Sequence, residues 1–182
     1  TDLKDEQSLK NSVKALAKYK INYVLGRHEI KNFENTDLII KAAGVPLDSK
    51  YIEHARAKGI PVAMDASLFA RLIQKTKPKI VIIGITGTRG KSMTTALIYH
   101  ILKKNAAKLG SHIYLGGNMR DKATLPLLKK IRHGDFVVLE LDSWQCQGFG
   151  DEKLSPHIAV FTNLMQDHLN YYKKSPQKYL DD

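Results

Sequence analysis

The chain has 182 residues, of which 43% are hydrophobic, and these values fit a globular protein of one large or two small domains. Its longest apolar runs are too short to span a bilayer and no N-terminal segment resembles a signal peptide, so we expect a cytoplasmic protein with no membrane partner. The only cysteine, Cys146, excludes an intrachain disulfide and fits a reducing compartment.

The net charge of +11 raises the question of nucleic-acid binding. The positive residues are mostly lysines spread along the whole sequence, and no RNA-binding aromatic signature or zinc finger accompanies them. We therefore expect a solvated lysine-rich surface without a nucleic-acid partner. Such a surface still attracts anionic substrates such as nucleotides.

Helix and strand patterns alternate along residues 1–78. In chain order they predict an amphipathic helix at Leu9–Ala17, a strand at Ile21–Leu25, a strand at Asp37–Ala42, a helix at Tyr51–Lys58, a strand at Ile60–Met64 and a helix at Ser67–Gln74. A short linker at 75–78 then separates this stretch from the next.

The same alternation continues along residues 79–182. The patterns predict strands at Ile80–Ile85, His112–Leu115, Phe136–Leu141 and His157–Thr162, with helices from Met93 onward and at Thr124–Ile131. Alternation of this kind favours a parallel sheet with helices on its faces. We predict an α/β protein with a partial Rossmann-like domain at 1–78 and a P-loop-type parallel-sheet domain at 79–182. Both ends look incomplete, so we expect a fragment.

A glycine-rich loop joins the strand at Ile80–Ile85 to the following helix. Its glycines let backbone N–H groups surround an anion, and the helix N-terminus adds a partial positive charge. Lys91 supplies a full charge, and Ser92 a hydroxyl suited to Mg²⁺. The strict P-loop spacing fails, because Ile85 stands where its first glycine belongs. The strand–loop–helix context still predicts a phosphate site, which comprises Gly87, Thr88, Arg89, Gly90, Lys91, Ser92 and Met93.

Polar residues follow the other predicted strands, at the edge where parallel sheets bind ligands. Glu140 ends one strand and is a candidate Mg²⁺ ligand. Asp142 either shares that metal or caps the next helix through its side chain. His168, taken alone, is a metal ligand or a surface residue. Asn118, after a Gly-Gly pair, either contacts a substrate or occupies a turn.

Taken together, these motifs resemble the Mur ligase family. The resemblance rests on GITGTRGKSMTT at 84–95, GGN at 116–118, ELDSWQ at 140–145 and TNLMQDHLNYY at 162–172. Within the family the likeness is greatest to the D-glutamate-adding branch, which ELDSWQ and the phosphate loop resemble most. The segment DLIIKAAGVPLDS at 37–49 resembles part of that branch's UDP-binding domain.

The resemblance implies an ATP-dependent ligase of peptidoglycan precursor synthesis. ATP would phosphorylate the carboxylate of UDP-N-acetylmuramoyl-L-alanine, and D-glutamate would attack the acyl phosphate. Lys91 and His168 would be catalytic, Lys91 by holding the β- and γ-phosphates. Ser92 and Glu140 would hold one Mg²⁺ and His168 a second. The implied substrate contacts are Gly44 near the uracil, Asn118, Asp142, Ser143 and Gln145.

Departures and missing parts qualify the resemblance. Arg89 stands where asparagine is usual, Asp142 replaces a serine, and Trp144 replaces a phenylalanine. We expect the lysine that the family carbamylates just beyond Asp182, and we expect the domain that binds D-glutamate to lie outside this sequence. We therefore expect a monomer that does not ligate alone. The alternatives are another ligase of this superfamily, a folylpolyglutamate synthetase, a non-catalytic nucleotide-binding module or a basic nucleic-acid binder.

Overall fold

A computed structural model describes residues 1–46, 48–119, 122–165, 175, 177 and 179. It divides the chain into two compact units. The first comprises Thr1–Ile39 and Leu47–Val62, and the second Ile40–Pro46 and Ala63–Asp182. The predicted metal ligand His168 lies outside the described residues. No helix in the described part of the chain has the length and apolar character needed to cross a membrane.

The first unit contains the helices α1 (Glu6–Leu16) and α2 (Lys50–Ala57) and a 3-10 helix at Ile30–Phe33. The helix α1 begins after Asp5, whose carboxylate accepts the N–H of Ser8 at 2.8 Å. The strand predicted at Ile21–Leu25 is wrong. Leu25 forms only an isolated parallel bridge with Asp2. A segment rich in β-branched and aromatic residues does not become a strand unless a neighbouring strand pairs with it.

The strands predicted at Asp37–Ala42 and Ile60–Met64 are confirmed as the short, paired strands β1 (Ile39–Ile40) and β2 (Val62–Ala63). The predicted helix that follows is α3 (Asp65–Thr76).

The second unit is built on a sheet of four parallel strands. They are β3 (Val81–Thr86), β4 (Ile113–Gly117), β5 (Phe136–Glu140) and β6 (Ile158–Phe161), in the spatial order β4-β5-β3-β6. Helices α4 (Lys91–Lys104), α5 (Ala106–Leu109) and α6 (Ser143–Asp151) connect them. The helix predicted at Thr124–Ile131 is instead a 3-10 helix at Leu125–Lys129, whose second residue, Pro126, lacks an N–H group. The predicted α/β class is confirmed.

Apolar side chains cover both faces of this sheet. On one face α3 and α6 bury Phe69, Ile73 and Phe149 against the strands, and on the other face α4 packs through Ile98 and Leu102. The other apolar row of α4 is exposed, since Met93, Leu97 and Ile101 are 76%, 56% and 51% accessible. The helix therefore carries one buried and one exposed apolar row.

Candidate functional site

The predicted phosphate loop connects β3 to α4 at the carboxyl edge of the sheet. Gly90 immediately precedes α4 in the left-handed conformation, with φ of 83°. Gly87 also has positive φ, 127°, and a Cβ atom there would lie 2.2 Å from Thr162 Oγ1. Both positions favour glycine, and at Gly87 the close approach of the segment after β6 excludes every other residue. The predicted strand–loop–helix arrangement is confirmed.

The segment that follows β6 holds this loop from the side. The backbone N–H of Thr88 donates to the Asn163 carbonyl at 2.9 Å, and the N–H of Arg89 donates to Asn163 Oδ1 at 3.0 Å. Thr162 Oγ1 donates to the Arg89 carbonyl at 2.7 Å. These two loop N–H groups are therefore engaged within the protein. The N–H groups at the start of α4 have no acceptor in their own helix and remain the natural anion donors.

Thr88 anchors the loop more deeply, because its side chain is only 6% exposed. Its Oγ1 accepts the N–H of Met165 at 2.9 Å and lies 3.1 Å from the Tyr179 hydroxyl. The loop is thus fixed through backbone and side chain alike. A rigid loop holds its donors in place before an anion arrives, which lowers the entropy lost on binding.

The ammonium group of Lys91 lies over the loop. Its Nζ donates to the carbonyls of Gly87 at 2.7 Å and Thr88 at 3.1 Å. Both acceptors are neutral, so a phosphate oxygen would be a stronger partner for the same ammonium. The next residues, Ser92 and Met93, are exposed on the first turn of α4.

Glu140 ends β5 directly beside β3, where it is paired in register with Ile85. Its residue is 5% exposed, and Oε2 is buried without a hydrogen-bond partner in the described part of the chain. Burying a carboxylate oxygen without a hydrogen-bond donor costs free energy unless a cation or ligand binds it. Glu140 therefore fits a Mg²⁺ ion, for which a carboxylate and a hydroxyl such as that of Ser92 are suitable oxygen ligands.

A complete metal site is not formed by the described residues alone, since they contain no group of three or more His, Cys, Asp or Glu side chains placed around one point. Mg²⁺ is commonly held by one or two carboxylates together with substrate phosphates, so Glu140 and Ser92 remain the candidate ligands. The predicted role of His168 stays a prediction.

The predicted substrate residue Asn118 lies next to Glu140. Its backbone N–H donates to the Glu140 carbonyl at 2.7 Å, and its side chain is exposed. Gly117 donates its N–H to Thr124 Oγ1 at 2.9 Å, and the backbone N–H of Thr124 donates to the Asp65 carboxylate at 3.2 Å. A chain of hydrogen bonds from the start of α3 thus supports the turn that presents Asn118.

Asp142 caps α6, because its carboxylate accepts the N–H of Gln145 at 2.8 Å. The structure thus bears out the capping alternative for this residue.

Gln145 is 7% exposed, and its Oε1 is buried without a partner among the described residues. Two unsatisfied oxygens, on Glu140 and Gln145, therefore come from the end of β5 and the start of α6. Buried polar groups without a partner are rare in folded proteins, and a bound ion or ligand is one explanation for them.

A cleft of about 200 Å³ opens between the phosphate loop and α6. Its lining is formed by Thr86, Gly87, Ser143, Cys146, Phe161, Leu164 and Tyr179. Ser143, predicted to contact substrate, therefore faces the same space as the phosphate loop. Cys146 lines the cleft as well, and its thiol lies 3.5 Å from Thr86 Oγ1.

Gly44 lies in an exposed turn that a buried lysine supports from beneath. Lys41 is 6% exposed, and its Nζ donates to the carbonyls of Ala43 at 3.2 Å and Val45 at 2.8 Å. The predicted uracil contact of Gly44 stays a prediction. The sequence does not indicate the support from Lys41 or the contacts of Thr124. Thr162 and Asn163 belong to one of the four family motifs and lie at the end of a predicted strand, but their contacts with the loop could not be predicted from it.

The fold and the loop define a class of protein: an α/β protein with a phosphate-binding loop between a parallel strand and a helix. Comparison with known proteins gives the family, because the profile of the Mur ligase middle domain matches residues 85–182. The chain belongs to the Mur ligase family, as its motifs predict.

Two relatives carry the name UDP-N-acetylmuramoylalanine–D-glutamate ligase. That of Borreliella burgdorferi strain ZS7 is 36% identical over 174 residues, covering 94% of this chain and 35% of the relative. That of Geotalea uraniireducens is 38% identical over 184 residues, covering 100% of this chain and 37% of the relative. The chain thus spans little more than a third of the length of these curated relatives.

Among solved structures, the chain is similar to the UDP-N-acetylmuramate-alanine ligase of Thermotoga maritima. The two share 25% sequence identity with a TM-score of 0.53, over 99% of this chain and 39% of the other. The similarity extends along nearly the whole chain and supports the α/β architecture.

Proposed function

We propose that this chain is the ATP-binding and UDP-substrate-binding part of a ligase that adds D-glutamate to UDP-N-acetylmuramoyl-L-alanine. The observation that carries the proposal is the buried, unsatisfied Oε2 of Glu140 beside β3, whose carboxyl end continues into the phosphate loop. A carboxylate in that place, next to a loop built for phosphate, suits a bound Mg·ATP.

The loop's own residues would position the nucleotide. The start of α4 offers backbone N–H groups and the positive end of the helix dipole, and Lys91 exchanges its two loop carbonyls for phosphate oxygens. Arg89 adds an exposed charge at the same edge, and the anchored Thr88 keeps the loop in shape. Ser92 and Glu140 would hold the Mg²⁺ ion.

The reaction we propose is transfer of the γ-phosphoryl group of ATP to the substrate carboxylate, which releases ADP. The D-glutamate amine then attacks the acyl phosphate, and the amide forms as inorganic phosphate leaves. Two anions must approach each other in the first step, and Mg²⁺ supplies the positive charge that offsets their repulsion. Asn118, Ser143 and Gln145 would orient the substrate from the turn after β4 and the start of α6. His168 would contribute to a second Mg²⁺ ion.

Names of relatives support D-glutamate as the added amino acid, since both relatives described above are D-glutamate ligases by name. We further propose two domains, at 1–78 and 79–182, a cytoplasmic location and a monomeric chain. Because the chain spans only about a third of those relatives, we propose that the isolated chain binds its substrates but forms no amide.

The proposal is tested by isothermal titration of the chain with UDP-N-acetylmuramoyl-L-alanine and with UDP-N-acetylmuramate, each in the presence of a non-hydrolysable ATP analogue and Mg²⁺. Tighter binding of the alanyl compound supports the D-glutamate branch. Equal or weaker binding favours the alanine-adding alternative, and binding of neither favours a nucleotide-binding module of another kind. Amide product detected by mass spectrometry after incubation with ATP and D-glutamate would show that the isolated chain does ligate.

A further inference from the structure

A set of basic side chains collects at the amino edge of the four-stranded sheet, opposite the phosphate loop. The strands are parallel, so the segments that lead into β3, β4 and β5 all lie at this edge. Direct hydrogen bonds confirm the placement: the N–H of Gly134 donates to the Lys79 carbonyl at 3.3 Å, and the Tyr114 hydroxyl donates to the Lys130 carbonyl at 3.2 Å. We call this surface the basic end; it comprises Lys79, Lys104, Lys108, Lys129, Lys130 and Arg132.

The helices bring further members to the same edge. The helix α4 begins at the carboxyl edge and packs along the sheet, so its last residue, Lys104, reaches the amino edge. Lys108 follows on α5, just before β4. Every member of the basic end is exposed, and none forms an ion pair with a carboxylate in the described ranges.

The acidic groups near this edge do not neutralise it. Asp135 is 3% exposed and accepts the backbone N–H groups of His112 and Arg132, both at 2.8 Å. Glu152, after α6, pairs with Arg71 at 3.0 Å. Asp151 is the one exposed carboxylate at the end of α6 within the described residues. The basic end therefore projects a strong positive field into solvent.

We propose that the basic end attaches the protein to an anionic membrane surface; this replaces the expectation from the sequence that it has no membrane partner, and peripheral attachment is compatible with the cytoplasmic location proposed above. Two exposed apolar side chains flank it, Ile101 at 51% and Leu109 at 43% accessibility, and Ile101 shares a helix face with Lys104. Lysines beside exposed aliphatic groups fit the interface of a bilayer with acidic headgroups. A nucleic-acid surface would instead use aromatic groups for stacking and arginines for base edges, and only one member of the basic end is an arginine.

Attachment in this way leaves the phosphate loop accessible. The phosphate loop follows β3, whose six residues rise about 3.3 Å each, so the loop lies about 20 Å further from the membrane. The basic end would bind the surface peripherally, while the proposed nucleotide site faces the solvent.

The test is co-sedimentation of the full chain with vesicles of phosphatidylcholine alone and of phosphatidylcholine mixed with phosphatidylglycerol, at about 0.1 M salt. One variant combines Lys104→Gln, Lys108→Gln, Lys130→Gln and Arg132→Gln. The matched control removes the same number of charges elsewhere, by Lys10→Gln, Lys14→Gln, Lys18→Gln and Lys20→Gln, all exposed positions in the first unit. Circular dichroism checks that both variants fold.

We expect the unaltered chain to bind only the mixed vesicles, and the basic-end variant to bind them on the order of a hundredfold more weakly. The control should lose only a few-fold. Failure to bind the mixed vesicles, equal binding to phosphatidylcholine alone, or equal losses in both variants would overturn the proposal. Tighter binding to an oligonucleotide than to the mixed vesicles at the same salt would overturn it in favour of a nucleic-acid partner.

Discussion

Asn163 and Arg89 form a reciprocal pair. The Asn163 side chain accepts the backbone N–H of Arg89 at 3.0 Å and donates from Nδ2 to the Arg89 carbonyl, also at 3.0 Å. In the middle of the phosphate loop, one side-chain amide thus satisfies both the N–H and the carbonyl of Arg89, as the backbone of a neighbouring strand would. The shape of the loop depends on a residue that lies after β6, far along the chain.

Replacing this amide should loosen the loop. Asn163→Ala removes both side-chain bonds and leaves the backbone bond to Thr88, so we expect a loss of about 1–3 kcal/mol in unfolding free energy. We also expect weaker binding of Mg·ATP, because the loop must then be ordered by the ligand. Urea unfolding followed by Trp144 fluorescence and isothermal titration measure the two effects. Asn105→Ala is the control, since the Asn105 side chain bonds locally, from Nδ2 to the Ile101 carbonyl at 2.8 Å; similar effects from both variants would contradict the assignment.

Lys91 should matter for binding more than for stability. Its ammonium group bonds two neutral carbonyls of the loop, an arrangement that contributes little while water competes. Lys91→Ala should therefore lower the affinity for Mg·ATP by tenfold or more, about 1.4 kcal/mol, while the unfolding free energy changes by less than about 1 kcal/mol. Titration with a non-hydrolysable ATP analogue measures the affinity. The exposed Lys104→Ala serves as control. An equal loss of Mg·ATP affinity in this variant would mean that Lys91 acts only through the overall positive charge of the protein.

Glu140 should lower the stability of the ligand-free chain and be needed for the binding of Mg²⁺ and ATP. An unsatisfied buried carboxylate destabilises the protein without its ligand, so Glu140→Gln, which removes the charge, should be as stable as the original chain or more stable in metal-free buffer. Addition of Mg²⁺ and ATP should raise the melting temperature of the original chain and not that of the variant. Thermal unfolding with and without the ligands decides this. The exposed Glu53→Gln, in the first unit, should respond to the ligands as the original chain does.

Much of the fold was predictable because its signals are local. The alternation of helical and strand patterns locates β3, β4, β5 and β6 to within two residues at each end. Gly87 and Gly90 mark the phosphate loop, since the ability to adopt positive φ is a property of glycine itself. The family resemblance followed from four such local motifs in order.

Other features depend on tertiary contacts and could not be predicted. In α4 the rows Met93–Leu97–Ile101 and Ile98–Leu102 have the same spacing of four, and only the sheet decides which row is buried. Residues Ile21–Leu25 have a composition typical of a strand, but no neighbouring strand pairs with them in the described part of the chain. The order β4-β5-β3-β6 places β6 beside β3, so the partnership of Asn163 with Arg89 appears only in three dimensions.

Gly117 allows a test of backbone geometry beside Glu140, the proposed metal ligand. Its φ is 84°, and a Cβ atom there would lie 2.0 Å from the Glu140 carbonyl oxygen. Gly117→Ala should therefore combine the strain of positive φ with a clash against backbone, a loss of about 2–5 kcal/mol. Gly26→Ala is the matched control, because Gly26 has φ of 75° and open space around it, so only about 1–2 kcal/mol is expected. Urea unfolding compares the two, and equal losses would mean that the close approach is unimportant.

Asp135 should make the stability of the second unit depend on pH. Burial raises the pKa of this carboxyl, but hydrogen bonds from the backbone of His112 and Arg132 and from the His112 ring outweigh burial and hold the pKa below its ordinary value. A lowered pKa in the folded state means that the stabilisation is complete above about pH 4 and is lost as the pH falls through the folded-state pKa. Asp135→Asn should therefore lower the unfolding free energy by about 1–3 kcal/mol at neutral pH, and the difference from the original chain should shrink near pH 3. Urea unfolding at both pH values measures the difference in unfolding free energy, with the exposed Asp37→Asn as control. A difference between Asp135→Asn and the original chain that stays constant with pH would contradict a role for the charge.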